Sequence, residues 1–158
     1  MSIINNITRL LDSQKIAYQA YELPAEKLGA METARLLDVS SDIVYKTIVA
    51  SRKPGKPILA VIPGSHEVDL KALAKILGEK KVKLPTQNEA EKWTGLQAGG
   101  ISPLALVNKG FVVVLDSSAR EHEKIHISGG QRGLNIRLKV DDLANLTRAR
   151  FGKISSTK

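Results

Sequence analysis

The chain has 158 residues, 42% of them hydrophobic and only 4% aromatic, enough for one domain, expected over 1–158, that buries roughly two-thirds of its unfolded surface, and neither a disulfide-stapled miniature nor a multidomain assembly. With no cysteine it offers no protein thiolate nucleophile, cysteine zinc site or iron–sulfur cluster, so any sulfur chemistry must come from the substrate. The 24 basic and 16 acidic side chains leave a net charge of +8, and no apolar run approaches the roughly 20 residues that span a bilayer, so a soluble cytoplasmic protein with no membrane partner is expected.

Ile3, Ile4, Ile7, Leu10 and Leu11 recur at helical spacing after Ser2, a predicted N-cap, so the chain opens with an amphipathic helix. Ala17–Tyr21 alternates as a short strand, a helix follows around Glu32–Leu37, and Ser40-Ser41-Asp42 supplies caps for a helical turn. Tyr45–Ala50 and Ile58–Ile62 are apolar, largely β-branched runs flanking Lys53-Pro54-Gly55-Lys56, which predicts a hairpin. Asp69 caps a helix carrying Leu70, Leu73, Ala74 and Leu77 that Gly78 ends, and Val82–Leu84 reads as a short strand. Thr86-Gln87-Asn88-Glu89 matches a capping box, with Gly95 closing its helix. Phe111–Leu115 is a strand apolar on both faces, Ile125–Ile127 and Leu134–Leu138 are two more, and Asp141–Leu146 is a final short helix before a basic tail. Strands joined by hairpins or single helices predict an α+β fold: a mixed, mostly antiparallel curved sheet or partial barrel with flanking helices.

Charge is unevenly spread. Residues 1–45 carry four basic and six acidic side chains, 46–83 nine and three, 84–142 seven and seven, and 143–158 four and none. The two basic blocks either form a solvated surface or attract a polyanion.

His66, His122 and His126 stand apart with no metal spacing, and GxSxG, GxxxxGK[ST] and GxGxxG are all absent. No metal site is expected. His126 alternates with Ile125 and Ile127 and so faces the other side of its strand, in an ordinary surface or hydrogen-bonded role. Lys46 interrupts the apolar run Val44-Tyr45-Lys46-Thr47-Ile48-Val49; it either snorkels to solvent or stands in a pocket, where its ammonium would hold a phosphate or a developing oxyanion. Two glycine-rich stretches, Ala98–Pro103 and Ile127–Gly133, are either tight turns or pocket walls whose amides converge on an anion. Without paired aromatic platforms, any contact with nucleic acid is expected to be mainly electrostatic.

Val44-Tyr45-Lys46-Thr47, Gly99-Gly100-Ile101-Ser102-Pro103-Leu104 and Ile127–Leu134 resemble, in order and spacing, the three signature segments of the YbaK family of freestanding aminoacyl-tRNA deacylases, relatives of the editing domain inserted in bacterial prolyl-tRNA synthetases. The likeness covers nearly the whole chain and is nearest to the cysteinyl-tRNA(Pro) branch. It implies a barrel-like mixed sheet, activity without metal or cofactor, and cleavage of the ester of tRNA(Pro) mischarged with cysteine. The substrate's own thiol would attack its carbonyl and leave as a thiolactone, with prolyl-tRNA synthetase as a possible partner.

By position, the resemblance implies that Lys46 contacts the terminal adenosine phosphate or the ester. Gly100, Ile101 and Ser102 would surround the reacting group, with loop amides as oxyanion donors, and Tyr21, Thr47, Gly99, Ser128, Gly129, Gly130 and Asn135 would bind substrate. Asn135 stands where the family commonly has Asp, Ala105 replaces a frequent glycine, and Leu23–Met31 matches poorly. Residues 46–83 and 143–158 would attract the acceptor stem. The alternatives are a non-catalytic tRNA- or synthetase-binding module of the same fold, and a deacylase that uses water on another small amino acid.

Overall fold

The computed structural model describes residues 3–157. Helix α1 (Asn6–Ser13) starts at Asn5, whose side-chain oxygen accepts from the amides of Ile7 and Thr8 while Thr8 Oγ1 accepts from the Asn5 amide. The predicted cap Ser2 lies outside the described residues; Asn5 takes that role because its carboxamide closes the first turn and still donates to Gly129 O at 2.8 Å. Strand β1 (Tyr18–Glu22) follows, then α2 (Ala30–Leu37), which begins two residues before the predicted helix, and a 3-10 turn over Ser41–Ile43 capped by Ser40.

The predicted hairpin is β2 (Tyr45–Ala50) against β3 (Ile58–Pro63), and a short β4 (His66–Val68) comes next. Helices α3 (Leu70–Leu77) and α4 (Gln87–Thr94) carry the expected caps, Asp69 and the Thr86–Glu89 box, and end at Gly78 (φ +68°) and Gly95 (φ +73°), where only glycine avoids a Cβ penalty. Val82–Leu84 is not a strand. Only Lys83 bridges Ser51, because Pro85 has no amide to extend a ladder and Val82 is drawn into the core. Strands β5 (Val112–Asp116), β6 (Lys124–Ser128) and β7 (Leu134–Lys139) precede α5 (Val140–Thr147). The basic tail forms β8 (Arg150–Gly152) and β9 (Ser155–Thr157).

Strands β1, β7 and β6 form an antiparallel sheet; β2 and β3 pair antiparallel, and β5 and β8 continue from β3 in parallel. A parallel bridge between Val44 and His126 sets β6 beside β2, so the two sheets curve as one surface that does not close. Strand β4 pairs separately with β9. Two-residue alternation gives the β2–β3–β5 part of this surface two apolar faces. Tyr45, Val49, Leu59, Val61, Leu115, Ile125, Ile127 and Ile136 fill the concave core with α1 and α5. Ala50, Ile58, Ala60, Ile62 and Val114 face the other way, under Leu73 and Ala74 of α3 and the buried Ile154. Among the described residues no helix is long and apolar enough to cross a membrane.

Candidate functional site

The concave core occupies one face of β1, β7 and β6, and the opposite face is polar. Strand register aligns Tyr21 with Asn135 and Asn135 with Ser128 in one row, and Gln19, Arg137 and His126 in the next. The Tyr21 hydroxyl and Arg137 Nη1 both donate to Gln19 Oε1, at 3.3 and 2.9 Å. His126 Nδ1 lies 2.8 Å from Asn135 Oδ1, and the Tyr21 ring rests 5.4 Å from the imidazole. With the carboxamide oxygen accepting, the imidazole proton sits on Nδ1. Burial pushes the His126 pKa below its ordinary value; the Asn135 bond opposes this and the Arg137 charge reinforces it, so the ring is neutral at pH 7.

Lys46 joins this face through the Val44–His126 bridge. Residues paired across a bridge point the same way, so Lys46, two residues past Val44, falls on the side of His126 and Ser128. Its half-buried ammonium donates to Gly64 O at 3.2 Å. The same alternation turns Thr47 to the opposite face, with Tyr45 and Val49. Burial pushes the Tyr45 hydroxyl up to about 12, and its 2.7 Å bond to Ser118 keeps it a packing residue.

The two glycine stretches meet. A Cβ on Gly100 would come within 2.8 Å of the Gln131 Cα, so glycine is required for that backbone approach. Arg132 Nε donates to Ala98 O at 2.7 Å, and Asn5 Nδ2 donates to Gln131 Oε1 at 3.0 Å. The segment after β1 closes the group: Leu23 donates to Gly133 O at 2.9 Å, and Lys27 lies against Gly99.

Several amides expected as oxyanion donors are engaged inside the loops. Gly100 donates to Gln97 O at 2.8 Å, Gly129 to Leu134 O at 2.8 Å and Gly130 to Ser128 Oγ at 3.3 Å. Ser102 is fully buried, and its hydroxyl accepts from Leu104, capping the 3-10 turn Pro103–Leu106; Ile101 packs on the concave core. The structure therefore sets Tyr21, Lys46, Ser128 and Asn135 on one polar face and brings the Gly99-Gly100 main chain against the loop that carries Gly129 and Gly130, whereas Ile101 and Ser102 turn to the concave core and the Thr47 side chain points to the opposite face. His126 belongs to the same polar face; its alternation with two isoleucines was legible, but its neighbours depend on cross-strand register. Among the described residues no three His, Asp or Glu side chains gather as metal ligands.

Residues 25–146 match the family model described as an aminoacyl-tRNA editing domain. A protein of Enterococcus faecalis described as a candidate Cys-tRNA(Pro)/Cys-tRNA(Cys) deacylase, EbsC, is 34% identical over 153 residues, 96% of this chain and 93% of that protein. A proline–tRNA ligase of Pelobacter propionicus is 27% identical over 104 residues, which span 66% of this chain and 18% of the ligase. Two solved structures share the fold. The hypothetical protein APE2540 has a TM-score of 0.88 at 23% identity, over 96% of this chain and 100% of that one. A structure described as a candidate trans-editing enzyme for prolyl-tRNA synthetase has a TM-score of 0.82 at 22% identity, over 98% and 99%.

Proposed function

Because the chain belongs to the aminoacyl-tRNA editing domain family, we propose that it deacylates mischarged tRNA in trans, with cysteinyl-tRNA(Pro) as substrate and prolyl-tRNA synthetase as the source of the error. The observation that carries this reading is that the Lys46 strand is bridged to β6, which runs into the second glycine loop, and that this loop's main chain touches the first at Gly100. The name of the Enterococcus relative and the ligase match support the amino acid and the tRNA.

In the proposed reaction the cysteinyl thiol attacks its own ester carbonyl. A carbon–sulfur bond forms, the bond from the carbonyl carbon to the terminal ribose oxygen breaks, and the thiol proton passes to that departing oxygen. The products are a thiolactone and uncharged tRNA. The chain itself has no cysteine, so its task is to hold thiol and carbonyl in reacting pose and to compensate charge on the carbonyl oxygen. Lys46 supplies that charge, or holds the terminal phosphate. With the Gly100, Gly129 and Gly130 amides engaged, the amides of Ile101 and Ser102 are the loop donors proposed for the oxyanion. Tyr21, Asn135 and Ser128 form the polar wall, and Gly99 lets the main chain approach the aminoacyl group.

The test presents cysteinyl-, alanyl-, seryl- and prolyl-tRNA(Pro) to the purified chain and identifies the released species. Thiolactone from the cysteinyl ester is expected, with a loss of about hundredfold or more in Lys46→Ala, the scale of removing one oxyanion contact. Free cysteine without thiolactone would redirect the mechanism to water, and tRNA binding without release would leave a binding module.

A further inference from the structure

A groove of about 1620 Å³ begins at Ser51, just past the end of β2 and five residues on from Lys46, or roughly 17 Å at strand rise. The turn after β2, the segment between α3 and α4, α4 itself and the loop before β5 line it. Eight basic and two acidic side chains face it. Both acids are engaged: Glu79 pairs with Arg52 at 3.2 Å, and Glu89 accepts from the Thr86 amide at 2.9 Å. Arg52 and Lys56 are tied into the wall, the latter donating to Lys109 O at 2.9 Å beside the Phe111 ring. Lys53, Lys80, Lys81, Lys83, Lys92 and Lys109 are exposed around the rim.

This grouping departs from the basic blocks of the sequence. Lys92 and Lys109 come from the stretch with balanced charge, whereas Lys71 and Lys75 of the first block and Arg148, Arg150 and Lys153 of the last lie outside the groove. The same wall carries Trp93, 37% exposed, and Leu84, 54% exposed. Cations bordering an open aromatic ring match a strand that offers phosphates and an unpaired base, because phosphates pair with ammonium groups while a base stacks on the indole. An acidic peptide would use the lysines and leave the ring without a partner.

We propose that this groove binds the phosphate backbone of a single-stranded RNA segment and stacks one of its bases on Trp93. Which RNA it is rests on the tRNA reading above; the distance to Lys46 lets one strand occupy both places within a handful of nucleotides.

Trp93 is the chain's single tryptophan, so its fluorescence reports on this wall alone. The full chain is titrated with an unacylated minihelix RNA bearing a single-stranded 3′ end, at about 50 to 200 mM salt. Quenching of Trp93 is expected, along with about tenfold weaker binding in Trp93→Ala. Lys81→Ala with Lys92→Ala should weaken binding at least about tenfold and make the salt dependence shallower by about 0.7 per lysine. Lys71→Ala with Lys75→Ala, an equal loss of charge on exposed sites of α3, should stay within about twofold. Equal loss in the α3 pair, unchanged binding in the groove variants, an unmoved Trp93 signal, or preferential binding of polyglutamate over the RNA would each overturn the proposal. The RNA carries no amino acid, so RNA binding with no ester cleavage removes only the deacylase reading, and normal turnover with indifferent groove variants removes only this one.

Discussion

Asn135 presents a carboxamide to a buried imidazole, and this pairing governs how His126 responds to pH. His126 has a pKa below 6.5 in the fold, mainly from burial, whereas the unfolded chain takes up its proton near that ordinary value. Below pH 6.5 the unfolded state therefore binds more protons, and stability is lost as the pH is lowered from there until the depressed folded pKa is passed. Urea melts of His126→Gln should show a flatter stability profile across that window. Asn135→Asp would set a carboxylate 2.8 Å from Nδ1 and raise the imidazole pKa, visible as an upward move of the His126 ring-proton titration by NMR. An unchanged titration would mean that the pair does not control the ring. Lys46 stood out in the sequence as a charge inside an apolar run; its company did not, because residues 21, 46, 126 and 135 share a face only through register.

Helix ends were legible because caps act within four residues. Asp69, Thr86–Glu89, Gly78 and Gly95 sit where their chemistry requires, and Thr86→Ala should cost about 1 kcal/mol in a denaturant melt. The Val82–Leu84 prediction failed because three residues before a proline have nothing to pair with beyond the one bridge from Lys83. The glycine loops follow a different logic. Gly100 needs no unusual φ; it needs space, since a methyl group would press on the Gln131 main chain, which cannot rotate away. Gly100→Ala should therefore part the two loops, destabilise the fold by about 1–3 kcal/mol and lower ester cleavage by more than that loss of folded protein accounts for. A variant with full activity would show that the loop contact is dispensable.

Across the molecule, two long-range ties give the sheet its shape. The Val44–His126 bridge turns two sheets into one curved surface, and the C-terminal segment is pinned by Asp116, whose carboxylate accepts from the amides of Ile154 at 3.0 Å and Ser118 at 3.2 Å. Asp116 and Ile154 are both buried, so Asp116→Ala strands two amides and should cost about 1–3 kcal/mol, read as a shift in melting midpoint and as earlier proteolysis after Thr147. The basic tail is thus structural at β8 and β9, which alternation over three residues is too short to reveal. Local sequence determined the helices and their caps, the β2–β3 and β6–β7 hairpins, the apolar faces and the odd lysine, because periodicity and capping act between near neighbours. Tertiary structure alone decided that Lys46 shares a face with His126, that Gly100 lies against Gln131, and that lysines from four parts of the chain border one groove. Those contacts join residues far apart in sequence, and they exist only once burial of the two apolar faces has set the register and curvature of the sheet.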